Sequence, residues 1–140
     1  MKREIMFRGK IICKEPDWEY GFYFQRTTQY GNKKYYILEG NPNRARLRDC
    51  FRDVWEVYPE TVGQFTGLHD KNGKEIYEGD VLYISCLKEE NPFVVECWKY
   101  KYMFRSPKIH SSKEAYEPCY WESGEVIGNI HDNPELLKTE

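Results

Sequence analysis

The chain has 140 residues, of which 40% are hydrophobic and 31% charged, a balance typical of one domain or of two small units that share a core. Its formal net charge of −2 argues against a protein that coats nucleic acid by charge alone. Residues 1–60 contain 12 Lys and Arg against 9 Asp and Glu (+3), whereas residues 61–140 contain 9 against 14 (−5). This modest asymmetry is what two ordinary solvated surfaces produce.

The sequence predicts a cytoplasmic protein that does not contact membranes. No run approaches the ~18 apolar residues that cross a bilayer, and no apolar segment follows the charged N-terminus. The five cysteines are odd in number and none stands at C-x-x-C spacing, so in a reducing compartment we expect no structural disulfides. We expect each cysteine to be a small buried apolar residue, because the paired spacing of zinc ligands is missing.

The first half of the chain alternates short strand-like stretches with turn residues, a rhythm typical of all-β proteins. The predicted strands lie at residues 5–13, 18–24, 34–38 and 54–58. Turns are predicted at 15–17, 31–32 and 41–43. Leu47, Cys50 and Phe51 stand at helical spacing, which predicts one short helix within residues 44–53.

The second half opens with a predicted hairpin. Residues 62–68 and 74–77 are strand-like, and the segment 70–73 (Asp-Lys-Asn-Gly) between them predicts a tight turn, since glycine supplies a positive φ at little cost. Residues 78–80 (Glu-Gly-Asp) then lead into an apolar strand, an order with which many SH3-like barrels begin. Further elements are predicted in this order: strand 81–84, strand 93–98, strand or hairpin 99–105, a final strand pair at 120–130 and a helical turn at 133–137.

These elements predict a mainly β protein. We expect an N-terminal antiparallel β unit at residues 1–60, followed by a C-terminal SH3-like β-barrel at residues 61–140, with one or two short helical turns. The two parts are expected to form one compact protein that shares a core.

Three segments resemble the signatures of the YopX family. Residues 59–68 (PETVGQFTGL) with 70–81 (DKNGKEIYEGDV) resemble its central signature, and residues 126–137 (VIGNIHDNPELL) resemble its closing one. Residues 3–10 (REIMFRGK) with 18–21 (WEYG) resemble its N-terminus. The segments occur in the family's order. The resemblance implies a β-rich protein of a phage or bacterial prophage, with no established activity, and residues 23–52 and 88–120 match none of the signatures.

The sharpest candidate for a binding site is the segment 98–105 (WKYKYMFR). On a single strand, alternation places its aromatic residues on one face and its cations, Lys99, Lys101 and Arg105, on the other. A basic groove with aromatic platforms is typical of barrels that bind single strands, where each stacked base contributes about 1–3 kcal/mol. These three cations are therefore the candidate nucleic-acid-binding residues. Because alternation separates rings from cations, a core-facing aromatic row with a solvated basic back fits the same pattern.

No catalytic apparatus is visible in the sequence, and we expect no catalytic residue, metal or cofactor. The acidic hairpin residues Glu75, Glu78 and Asp80 could hold Mg²⁺ with phosphates, which leaves a metal-assisted enzyme as an alternative, but such residues more often solvate a turn. No nucleophile motif is present. We expect a protein that acts by binding, with a host or phage protein, a second copy of itself in a homo-oligomer, or nucleic acid as partner.

Overall fold

The structure, a computed structural model, describes residues 5–12, 18–39, 54–99, 101–109, 111–115 and 117–137. The described chain is mainly β, as the sequence predicts, and its strand pairings are antiparallel. The chain divides into two compact units, residues 1–64 and 65–140. No helix in the described ranges is long and apolar enough to cross a membrane.

The first unit is built on a curved row of antiparallel strands. These are β1 (Phe7–Lys10), β2 (Trp18–Thr27), β3 (Lys33–Glu39) and β4 (Val54–Glu56), with the order β4-β3-β2-β1. The first two residues of β5 (Gly63–His69) pair with β1 before that strand continues into the second unit. Pro59–Thr61 forms a 3-10 turn. The helix predicted within residues 44–53 and the end of the first predicted strand lie outside the described residues.

One face of this sheet forms the core of the first unit. Antiparallel partners point to the same face, so Tyr23 and Ile37 lie together on it. Ile37 and Val57 are fully buried, and Val57, which follows β4, bridges to Ile11 beyond the end of β1. The Tyr23 ring stacks on Tyr35 with centroids 6.4 Å apart. The core therefore lies between the sheet and the chain segment that crosses it at Val57.

Gly9 of β1 is needed where this core is tightest. A Cβ at Gly9 would lie 3.0, 3.1 and 3.2 Å from the three side-chain carbons of Val57. We expect Gly9→Ala to lower the free energy of unfolding by about 1–3 kcal/mol, as overpacking does, in chemical denaturation. Adding Val57→Ala removes two of the three contacts, so the double variant should lose less than the sum of the single variants. Strictly additive losses would contradict the close approach.

The second unit contains an antiparallel sheet and a hairpin. Its elements, after the rest of β5, are β6 (Glu75–Tyr77), β7 (Asp80–Ile84), β8 (Phe93–Trp98), β9 (Lys101–Ser106), β10 (Ser111–Glu114), α1 (Pro118–Ser123) and β11 (Gly124–Asn129). The sheet order is β10-β9-β8-β7-β11, and β5 pairs with β6. Its core consists of Ile76, Leu82, Ile84, Phe93, Val95, Phe104 and Ala115. The tight turn predicted at residues 70–73 is confirmed, with Gly73 at φ +81.

The predicted SH3-like barrel is not found, because the five-stranded sheet is open. Its edge strands, β10 and β11, are not paired with each other in the described part of the chain. The hairpin loop closes the outer edge of β11 instead: the Lys71 amide donates to the Gly124 carbonyl, and Asp70 Oδ2 accepts from the Val126 amide. A loop thus occupies hydrogen-bonding groups that a barrel would pair with a strand.

The strand pair predicted at 120–130 is wrong in its first half. Helix α1 covers residues 118–123, and β11 begins only at Gly124. Tyr120 and Trp121 favour strands, but Pro118 at the start of the segment and Gly124 after its end are the stronger signals, since proline suits the first helical turn and glycine the helix terminus. The last predicted helical turn is confirmed as a 3-10 turn at Pro134–Leu137.

Candidate binding surface

The segment 98–105 is not a single strand, so the prediction that its aromatic residues share one face is wrong. β8 ends at Trp98 and β9 begins at Lys101, with a turn between them in which Lys99 has φ 45. Trp98 pairs with Lys101 and therefore shares its face. Trp98 is 57% exposed, whereas Phe104 lies in the core with Tyr102 packed against it. The Lys99 ammonium lies 4.5 Å from the centre of the Trp98 ring.

Both strand cations of this hairpin are bound by carboxylates. Lys101 Nζ lies 2.8 Å from Glu114 Oε1, and Arg105 Nε donates to both oxygens of Glu96, at 2.7 and 2.9 Å. A phosphate would have to displace these carboxylates. Nucleic-acid binding through Lys99, Lys101 and Arg105 stays a prediction, and Tyr100 lies outside the described residues.

The acidic hairpin residues serve the turn between β6 and β7. Asp80 is buried, and its Oδ2 accepts a hydrogen bond from the Tyr77 amide at 2.8 Å. The Glu75 carboxylate accepts from the Tyr77 hydroxyl at 3.1 Å. Burial, with the nearby Glu96 carboxylate as a second cause, raises the pKa of Glu78. Within the described ranges no three His, Cys, Asp or Glu side chains are grouped to hold a metal ion.

A surface depression of about 460 Å³ lies beside the 3-10 turn at Ser85–Leu87, lined by residues 85–90 and Ile109. Cys86 in this lining is exposed, with its Sγ 3.3 Å from Ser123 Oγ. Cys97 is exposed as well, so the prediction that each cysteine is buried is wrong for these two. For Cys13, Cys50 and Cys119 it lies outside the described side chains.

The sequence did not single out the open face of the first unit's sheet. Tyr20, Phe22 and Phe24 alternate along β2 and point away from the core, with 43%, 41% and 39% of their surface exposed. Phe22 pairs with Leu38 of β3, and Leu38 in turn pairs with Val54 of β4. We call this surface the aromatic face: Tyr20, Phe22, Phe24, Tyr36, Leu38 and Val54.

The rings of the aromatic face are ordered against one another. Phe24 and Tyr36 are cross-strand partners whose rings stack with centroids 5.2 Å apart and planes 21° apart. Such pairs contribute about 0.5–1.5 kcal/mol beyond area burial. At the β1 side, the Arg8 guanidinium lies 4.8 Å from the centre of the Trp18 ring. The face is therefore a set of fixed, partly exposed rings.

Cations surround these rings on the same face. Arg26 is the next outward residue after Phe24, and its cross-strand partner is Lys34. Among the described residues, no ion pair joins either of them to a carboxylate. By register, the charged residues of this face are Arg8, Lys10, Arg26, Lys34 and Glu56. Four cations thus face one carboxylate, in a protein whose formal net charge is −2.

The fold and its surfaces define a mainly β protein of two compact units. A family model described as "YopX protein" matches residues 17–138, and the chain therefore belongs to the YopX family. The resemblance in the sequence is confirmed.

Two solved structures share the fold. Protein EF1440 from Enterococcus faecalis is 20% identical, with a TM-score of 0.52 over 98% of this chain and 100% of that chain. Protein yopX from Bacillus subtilis is 16% identical, with a TM-score of 0.52 over 99% of both chains. At these identities the likeness concerns the fold alone. No curated protein matches the sequence.

Proposed function

We propose that this protein acts by binding a macromolecular partner and not by catalysis, as an accessory protein of a phage or prophage in the bacterial cytoplasm. The observation that carries the proposal is the aromatic face, where three rings in one row are each about two-fifths exposed. Contiguous apolar patches on monomeric proteins are few and often functional.

The energetics of the face support a partner. Burying a phenylalanine side chain completely contributes about 1.5–3 kcal/mol, so a ring that is two-fifths exposed forgoes roughly 1 kcal/mol. A partner that covers Tyr20, Phe22 and Phe24 recovers this free energy. The rings are held by strand pairing and stacking, so little conformational entropy is lost when they are covered.

Affinity capture from the bacterial host tests the proposal, with each lysate divided into nuclease-treated and untreated halves. The wild type is compared with Phe22→Ser/Phe24→Ser, which removes two exposed rings, and with the control Lys99→Glu/Lys101→Glu on the β8–β9 hairpin. Far-ultraviolet circular dichroism checks that each variant is folded.

We expect a partner that the wild type and the hairpin control retain and the ring variant loses. A homo-oligomer that buries the face is one form of this result, and light scattering on the purified protein detects it. The same partners recovered with all three proteins would contradict the proposal. Loss confined to the hairpin variant would move the binding surface to Lys99 and Lys101.

A further inference from the structure

We infer that the partner of the aromatic face is a single-stranded nucleic acid. The inference rests on the proposed binding function and names the partner class of the same surface. It uses three properties of the face: the spacing of its rings, the position of its cations and its limited area.

The spacing of the rings suits an extended single strand. Tyr20, Phe22 and Phe24 are two residues apart along β2, so their side chains recur about every 6.7 Å at the usual strand rise. That repeat is roughly twice the 3.4 Å between stacked bases in one strand of a duplex. Bases that stack on successive rings must therefore be unstacked from one another, which a duplex does not allow.

The cations lie where the phosphates of such a strand would pass. Phe24 and Tyr36 form one cross-strand pair, and Arg26 with Lys34 forms the next pair on the same face. Like charges directly opposite each other destabilise a sheet, and a bound phosphate would relieve that repulsion. Rings and cations thus converge on one surface, as binding of single strands requires.

The opposite holds for the β8–β9 hairpin. There Trp98 shares its face with Lys101, but Lys101 and Arg105 are each bound by a carboxylate. A single ring with paired cations offers one stacking site and little free positive charge. The first unit therefore carries the stronger combination of platform and charge.

The area of the face favours a narrow ligand over a second protein. Aromatic side chains bury about 150–250 Å² each, so three rings that are two-fifths exposed present only about 250 Å². A standard protein–protein interface buries about 800 Å² per partner. The face covers two or three bases comfortably but falls well short of a stable dimer interface.

Fluorescence anisotropy of labelled oligonucleotides of about 12 nucleotides tests the inference. The probes are oligothymidine, oligouridine and a DNA duplex of equal length, titrated with the purified full chain at several salt concentrations. The two single-stranded probes distinguish DNA from RNA as the source of the shared chemistry. We expect binding to at least one of them, weaker binding to the duplex, and an affinity that falls as salt rises.

The variants locate the site. Phe22→Ser/Phe24→Ser should weaken single-strand binding at least tenfold, since each stacked base contributes about 1–3 kcal/mol and 1.4 kcal/mol is tenfold. Arg26→Gln/Lys34→Gln, which leaves every ring in place, should weaken binding and flatten its salt dependence by about one unit of slope. The matched control Lys99→Glu/Lys101→Glu should bind like the wild type.

Three results would overturn the inference: no binding of either single strand at low salt, duplex binding as tight as single-strand binding, or unchanged binding by the Arg26→Gln/Lys34→Gln variant, whose fold is not at risk. If no oligonucleotide binds but a nuclease-resistant protein partner is lost with the ring variant, the inference fails and the proposed function stands. If capture is insensitive to the rings, both fail.

Discussion

Replacing Phe104 by alanine is expected to lower the free energy of unfolding by about 4 kcal/mol, within the usual range for a buried phenylalanine. The ring lies at the centre of the second unit's core, on β9, with 1% of its surface exposed. Neighbours across the sheet are also buried, so the cavity left behind cannot collapse without moving strands. Chemical denaturation followed by circular dichroism measures the loss.

The control for Phe104 is its neighbour in the same strand. Met103 points to the opposite, solvent-facing side of β9 and is half-buried, so Met103→Ala should cost well under half as much. Phe104→Leu, which keeps most of the volume, should cost about 1–1.5 kcal/mol and remains measurable if the alanine variant does not fold. Equal losses for Phe104→Ala and Met103→Ala would contradict the assignment of the buried face.

Replacing Asp70 by asparagine is expected to cost about 2–3 kcal/mol at neutral pH. One carboxylate oxygen accepts from the amides of Asn72 and Lys74, both at 2.9 Å, and the other accepts from the Val126 amide at 2.9 Å. An asparagine cannot accept on both sides, because one of its terminal atoms is itself a donor. The substitution therefore breaks the link between the hairpin loop and β11.

The contribution of Asp70 should depend on pH in a defined direction. Burial is the largest single influence and raises the pKa, but the three amide hydrogen bonds from Val126, Lys74 and Asn72, with the Lys74 charge, outweigh it and lower the pKa below its ordinary value of 3.8. A lowered folded-state pKa stabilises the protein fully above the unfolded value, and that stabilisation is lost as pH falls through the folded one.

The stability difference between wild type and Asp70→Asn should thus be largest near neutral pH and shrink below the ordinary value of 3.8. Denaturation at a series of pH values measures it. The exposed Glu89 provides the control, and Glu89→Gln should change stability by less than about 0.5 kcal/mol. A difference for Asp70→Asn that grows on acidification would refute the sign of the pKa shift.

The sequence predicted the fold class and most of the strands because alternation and turn residues are local signals. The turn at Gly73 and strand β8 are examples, since each depends on residues within a few positions. The SH3-like barrel could not be excluded in this way. Whether a sheet closes depends on which distant groups meet its edge, and here a side chain 56 positions away, Asp70, occupies the Val126 amide.

The binding surface was placed on the wrong hairpin for a similar reason. Segment 98–105 has aromatic and basic residues in alternation, but a turn at Lys99 reverses the chain and carboxylates from other strands bind its cations. In β2 the same alternation of rings is present, yet the sequence does not say which face is buried. Only the register with β3 shows that Phe22 and Phe24 point outward with Arg26.

Photochemical cross-linking tests the central claim most directly. A single-stranded oligonucleotide with photoreactive pyrimidines is bound to the full chain and irradiated, and the cross-linked peptides are identified by mass spectrometry. We predict cross-links to β2 and β3, at Tyr20, Phe22, Phe24 or Tyr36, whose rings would contact the bases. Cross-links confined to β8 and β9 would contradict a binding surface on the first unit.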